Sequence, residues 1–351
     1  MRINTSVQSI ILLFLGLTLF ASCEINDFAE PGLLVPKTVD EDPKLPRIHV
    51  SGSDLHGETF GLINKPIMVF LHGGPGSDYR AMVSQKGGTN ASKYPFERVS
   101  QNEGLSQLQD DYFCVFYDQK GAGLSPRFHK GEITFQTYLN DLDAIINHFI
   151  SQKFEETGIL DTQVYLTAWS YGGILATGYI NEHPEKVKDV VFYEPGPFTP
   201  EAWEYFIENT TSYFGQIGEP WLDDFLLAHD HFTADDHIRA DYQFQLGAFR
   251  SNPEFNEDVN TPMWRYGYMI SQENLDFMTS DNYDISSNLS NFNGKALFIV
   301  GSLTLQSYPE YLNLQRPIYP RSDFEIVNGV GHSGPWEKAN EIAATIRNYL
   351  R

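Results

Sequence analysis

Leu166-Thr167-Ala168-Trp169-Ser170-Tyr171-Gly172-Gly173 is the stretch that decides the reading of this chain. An apolar run, Val164 to Leu166, leads into it, and a helical pattern, Ile174 to Asn181, follows it. Ser170 is therefore expected on a sharp strand-to-helix turn, the geometry of a nucleophile elbow. Such a turn crowds the residues two before and two after the Ser, so both must be small. Ala168 and Gly172 meet that need, although Ala168 stands where the motif usually has Gly. A Ser in an ordinary strand-to-helix loop is the competing reading, and the rest of the chain bears on the choice.

Working outward, a strand expected at Ile67 to Leu71 runs directly into His72-Gly73-Gly74-Pro75-Gly76. Its glycines let backbone N–H groups approach a reacting carbonyl, and Pro75 fixes the bend. A polar excursion from Ser77 to Asp111 is expected to form an elaborated loop over the site. The next strand, Tyr112 to Tyr117, opens into Asp118-Gln119-Lys120-Gly121-Ala122-Gly123-Leu124-Ser125. Taken in order, HGGPG, DQKGAGLS and an elbow Ser resemble the proline iminopeptidase branch of the α/β-hydrolases. The resemblance implies that the second motif is a structural turn, which leaves Asp118 outside the chemistry. It also implies a cap inserted into the sheet domain.

The pattern of the chain agrees with that expectation. Short strand candidates at Arg47 to Ser51 and Glu58 to Ile63 precede Ile67 to Leu71. Leu139, Leu142, Ile145, Ile146, Phe149 and Ile150 keep helical spacing within an amphipathic helix, Phe135 to Lys153. Strands follow at Asp189 to Tyr193, Ala296 to Val300 and Asp323 to Val327, and a helix at Glu337 to Leu350 ends the chain. The fold class is thus α/β, with a doubly wound, mainly parallel sheet and an inserted, mostly helical cap. The core is expected at 47–194 and 292–351 and the cap at 195–291, which is rich in Trp, Tyr and Phe.

The amino terminus points to export. Arg2 and the apolar run Ile10 to Ala21 have the form of a signal peptide over 1–22, too short for a spanning helix. Leu19-Phe20-Ala21-Ser22-Cys23 resembles a bacterial lipobox, with Cys23 lipidated and 23–46 serving as an acidic, Pro-rich tether; a plain secretory signal is the alternative. The expected location is a membrane-anchored lipoprotein on the periplasmic side or the cell surface. Cys114 alone would then remain, as a buried thiol. The formal charge of −22, from 46 acidic against 24 basic residues, disfavours nucleic acid or an anionic membrane surface as a partner. The lipid anchor would be the sole membrane contact.

Acyl transfer by Ser170 needs a base, an acid to orient it, and donors for the oxyanion. Of the ten His residues, His332 lies in Gly329-Val330-Gly331-His332-Ser333-Gly334, between the last strand and the terminal helix, where this fold keeps its base. His72 belongs to the glycine-rich loop and is expected to shape it. The usual acid position, three residues after Gly301, holds Thr304, which carries no charge. Glu194, at the end of the strand after the elbow, is the expected replacement, with Glu310 in reserve. A subset of haloalkane dehalogenases is similar in this placement, but they use Asp where this chain has Ser170. The oxyanion donors are expected to be the backbone N–H groups of Gly74 and Tyr171.

Trp203, Glu204 and Trp264 are candidate substrate contacts. The family resemblance implies that cap carboxylates bind the free amine of a substrate, for which Glu201, Glu204 and Glu208 are available. No metal-ligand spacing and no phosphate loop is evident, and the chemistry needs no cofactor. The expected activity is cleavage of an amide or ester in a small molecule or short peptide through an acyl-enzyme, as in proline iminopeptidases. A carboxylesterase and an inactive, ligand-binding hydrolase fold are the alternatives, the last motivated by Thr304.

Overall fold

The structure is a computed structural model that describes residues 35–50, 52–93, 97–129, 131–217, 237–238, 240–242, 262–278, 280, 283 and 285–351. The signal peptide expected over 1–22 and Cys23 lie outside the described residues.

Eight strands form one sheet in the order β1-β2-β4-β3-β5-β6-β7-β8. They are β1 (Arg47–Val50), β2 (Ser53–Phe60), β3 (Ile67–Leu71), β4 (Phe113–Tyr117), β5 (Val164–Trp169), β6 (Val187–Tyr193), β7 (Ala296–Gly301) and β8 (Ser322–Val327). β1 and β2 pair antiparallel, as do β2 and β4, and every other pairing is parallel. The inner strands read as unbroken apolar runs because helices cover both faces. Alternation then sorts the side chains. Ile67, Val69, Leu71, Leu166, Ala168, Val190 and Phe192 face one apolar layer, shared with the helices Phe135–Thr157 and Tyr171–Glu182. Met68, Phe70, Tyr165, Trp169, Val191, Tyr193, Leu297 and Ile299 face the other, closed by Ile342, Ala343 and Ile346 of the terminal helix Ala339–Leu350.

The helix Phe135–Thr157 has clear boundaries. Thr134 and Thr137 form a reciprocal capping box at its start, and Gly158, at φ 73°, supplies the left-handed residue at its end. It runs one turn beyond the expected Lys153 because the next residues keep good helix formers up to that glycine.

Two expectations change. The excursion 77–111 is a packed layer rather than a loop over the site: Tyr79, Met82, Val83, Leu105 and Leu108 are buried against Phe70 and Phe116. Its apolar residues are spaced along short helical turns, Arg80–Val83 and Gly104–Asp110, so polar composition concealed a buried face. Residues 35–46, assigned by composition to the tether, also pack on the domain. Val35, Thr38, Val39 and Leu45 are buried, the Val39 N–H donates to the Leu124 carbonyl, and Arg265 donates to the carbonyl of Pro36.

Between β6 and β7 the described residues include the helices Pro200–Ile217 and Tyr268–Met278 and no strand. Asp241 ties this region to the sheet domain. Buried, it accepts hydrogen bonds from Arg127 of the domain and from Arg265 and the Tyr268 N–H of the insertion. No helix among the described residues is long and apolar enough to cross a membrane.

Candidate active site

Ser170 joins β5 to the helix Tyr171–Glu182 at φ 55°, ψ −122°, a backbone conformation that L-residues other than glycine seldom adopt. The turn is held at both ends. The Ser170 N–H donates to the Tyr193 carbonyl at 3.1 Å, and the Ser170 carbonyl accepts from Gly173 and Gly196 at 2.8 and 2.9 Å. A Cβ on Gly172 would overlap the carbonyl oxygen of Leu71 and lie 2.8 Å from that of His72, so only glycine fits two residues after the Ser. Ala168 is fully buried in β5, paired with Leu71 on one side and Phe192 on the other, and its single methyl is accommodated.

His332 and Glu194 meet. The Glu194 Oε2 accepts from His332 Nδ1 at 2.9 Å, and Oε1 accepts from the Gly301 N–H at 2.8 Å. Glu194 ends β6 at φ 40° and is almost wholly buried, whereas the imidazole is 55% exposed. A carboxylate on Nδ1 leaves Nε2 as the nitrogen free to accept a proton. Parallel pairing explains the meeting, because β6 and β7 bring their carboxyl ends to one edge and the β8 loop returns over it. Glu310 is exposed, accepts from Asn313, and does not pair with His332. Thr304 stands beside the His332 loop, its hydroxyl 3.4 Å from where a Cβ on Gly331 would lie.

The glycine-rich loop faces the same edge. A Cβ on Gly73 would lie 3.0 Å from Ser170 Cβ. Buried His72 shapes this loop through two contacts: Nε2 accepts the Gln119 N–H at 3.1 Å, and Nδ1 donates to the Gly73 carbonyl at 2.7 Å. Burial holds its pKa below the ordinary value, which keeps the ring neutral as both contacts require. With the Gly73 carbonyl drawn toward the imidazole, a trans-planar peptide turns the Gly74 N–H the other way, away from it. Tyr171 opens its helix, so its N–H has no acceptor within that helix. Neither N–H donates to another backbone group outside regular helix and strand bonding among the described residues.

Asp118 lies in the interior, accepting from His56, the Tyr79 N–H and the Leu124 N–H. The other candidate contacts are distributed differently. Trp203 packs against the main apolar layer and stacks on Phe206 with ring centroids 5.6 Å apart. Trp264 is buried, in edge contact with Tyr79 and His56. Glu204 is exposed on the helix Pro200–Ile217, on one side with exposed Glu201 and Glu208. Sequence reasoning passed over two side chains. The Trp169 indole N–H donates to the His332 carbonyl at 3.0 Å, and the Tyr193 hydroxyl donates to the Gly331 carbonyl at 2.6 Å. Their place immediately before Ser170 and Glu194 is the one signal the sequence carries for them.

A family model described as alpha/beta hydrolase fold matches residues 66–339. The chain belongs to the α/β-hydrolase family. Within it, a proline iminopeptidase of Heyndrickxia coagulans is 24% identical over 296 residues, covering 81% of this chain and 90% of that protein. A proline iminopeptidase of Lactobacillus helveticus is 23% identical over 303 residues, covering 82% and 90%. Among solved structures, an esterase from Thermogutta terrifontis superposes with a TM-score of 0.55 at 19% identity, covering 87% of this α/β-hydrolase and 98% of that chain. This last likeness is one of fold.

Proposed function

We propose that this α/β-hydrolase is an exported serine hydrolase of the proline iminopeptidase kind, removing an amino-terminal residue from a short peptide or related small molecule. The observation that carries the reading is the 2.9 Å contact between buried Glu194 and His332 Nδ1, which supplies the acid that Thr304 does not. In the reaction, His332 Nε2 takes the proton from Ser170 Oγ as the oxygen attacks the scissile carbonyl. Glu194 stabilises the resulting imidazolium, and the N–H groups of Gly74 and Tyr171 receive the oxyanion. The proton passes from His332 to the leaving amine, and the acyl group stays on Ser170. Water, deprotonated by His332, then releases the acid and restores the serine. Exposed Glu201, Glu204 and Glu208 are the carboxylates available to hold a substrate's ammonium group.

Labelling with a fluorophosphonate tests the mechanism: rapid modification that disappears in Ser170→Ala supports it, and inertness of the unsubstituted protein supports a ligand-binding role instead. A panel of aminoacyl-arylamides and aryl esters then tests the substrate class. Preference for prolyl-arylamide is the expected result, and turnover of esters alone would make the protein a carboxylesterase. The export reading rests on Arg2 and the apolar run Ile10 to Ala21, and the lipid-anchor reading on Cys23; a mature chain starting at Cys23 with added acyl mass is the product expected of the second.

A further inference from the structure

We propose that Tyr193 and Trp169 are positioning residues, which hold the imidazole of His332 in line by fixing the two peptide groups on either side of it. The proposal deepens the serine-hydrolase reading and rests on it. Glu194 holds the His332 ring itself, but the backbone that carries it is exposed. Its loop follows the edge strand β8, where Phe324 is 45% and Ile326 42% exposed, and Asn328, Gly329 and His332 are themselves exposed. The loop is held before the histidine by the Leu303 N–H on the Val330 carbonyl and the Gly329 N–H on the Ser302 hydroxyl, and after it by the turn bonds of the Gly334 N–H to the Gly331 carbonyl and the Trp336 N–H to the Ser333 carbonyl. Beyond Val330 the two aromatic side chains tie this turn to the ends of β5 and β6.

Trp169 and Tyr193 are direct partners in the register of β5 and β6, and both belong to the sheet face shared with Leu297, Ile299, Val327 and Val330. With a side-chain period of two, the residues that follow them, Ser170 and Glu194, leave the strands at the site itself. One pair of strand ends thus carries both the reacting groups and the clamps on the third member. The Tyr193 hydroxyl holds the carbonyl of the 331–332 peptide, and the Trp169 indole holds that of the 332–333 peptide. Each peptide is planar, so pinning both fixes φ and ψ at His332 and with them the direction of its Cα–Cβ bond. The indole also lies against the imidazole, with ring centroids 5.6 Å apart. Gly334 leaves the room this requires, since a Cβ there would overlap the Tyr193 hydroxyl. Burial raises the Tyr193 pKa, so the hydroxyl keeps the proton that it donates.

The test uses Tyr193→Phe and Trp169→Phe in the full chain, each of which removes one donor and keeps an aromatic ring. Expected are a fall in kcat of about 10- to 100-fold with KM within about twofold, since a misplacement near 1 Å has effects of that size. The downfield NMR signal of the His332 Nδ1 proton should broaden or move. In a Glu194→Gln background the Tyr193→Phe loss should shrink to less than about threefold, because the two substitutions then damage one arrangement. A folded Tyr193→Phe protein with unchanged kcat and an unchanged Nδ1 signal would overturn the proposal, as would a fully additive double variant. If Trp169→Phe does not fold, Tyr193→Phe decides. Failure of the serine-hydrolase reading shows separately, as an unsubstituted protein that fluorophosphonate does not label. The NMR signal still reports on positioning in that event.

Discussion

Glu194 does two things that most strand-end glutamates do not: it turns the chain at φ 40° and buries its carboxylate. Left-handed backbone at a non-glycine residue costs on the order of 1–3 kcal/mol and persists only where the surroundings over-determine it. Here they do, through the Gly301 N–H on one oxygen and His332 on the other. Glu194→Gln keeps an acceptor for Gly301 but removes the charge. Its expected effect is a fall in kcat of about 10²- to 10⁴-fold, with the folded structure retained. Steady-state kinetics beside a melting curve checks this, and full activity in the folded variant would remove Glu194 from the mechanism. His72 has a different part, as a neutral ring that aims a peptide. His72→Ala should therefore lower kcat while the rate keeps its pH dependence, because no titrating group has been removed from the proton path. A pH–rate profile that changes shape would argue against that role.

At the scale of elements, the segments around the candidate site are defined by local chemistry and then fixed by burial. The helix Phe135–Thr157 buries Leu139, Leu142, Ile145, Ile146 and Phe149 under the central strands. Leu142→Ala should cost about 2–5 kcal/mol, as for other leucines removed from well-packed cores. Thr134→Ala, which breaks the capping box at an exposed end, should cost only about 1 kcal/mol. Denaturant unfolding separates the two, and equal losses would mean that the cap carries more of the helix than its exposure allows. Neither change touches the strand ends, so relative activity per folded molecule should be preserved.

Across the whole molecule, buried carboxylates join the insertion to the sheet domain. Asp241 binds two guanidinium groups, and its removal in Asp241→Ala would leave Arg127 and buried Arg265 without their shared counter-charge. A loss of about 3–5 kcal/mol is expected by analogy with other broken buried pairs. Asp78 makes the second connection, accepting from the N–H groups of Trp264, Arg265 and Arg80. Burial, and then the neighbouring Asp118 charge, push its pKa up to about 7, while Arg80 and the backbone donors oppose the shift. The sign follows from linkage. Between about pH 4 and 7 the folded protein holds a proton that the unfolded chain has released, so this contribution to stability is present at the acidic end and lost as pH rises through 7. Melting temperature measured from pH 4 to 8 should fall less steeply in Asp78→Asn than in the unsubstituted protein. An unaltered slope would show that Asp78 is ionised throughout that range.

Much of this was legible in the linear chain, because the features concerned are local. Ser170 between two small residues, the glycines of 72–76 and the 3.6-residue period of 135–153 are each consequences of short-range geometry. The sheet follows from alternating strands and helices, and even Glu194 could be singled out, since strand ends in a parallel sheet share an edge. Composition misled where a few apolar residues outweigh many polar ones, as at 77–111 and 35–46. Tertiary structure alone decided which partners meet across the sheet: Glu194 rather than Glu310 at His332, Trp169 and Tyr193 on its loop, Asp241 between two arginines. Those contacts join residues far apart in sequence, and what selects them is register, the length of a side chain and the volume left by its neighbours. None of these is written in the local order of amino acids.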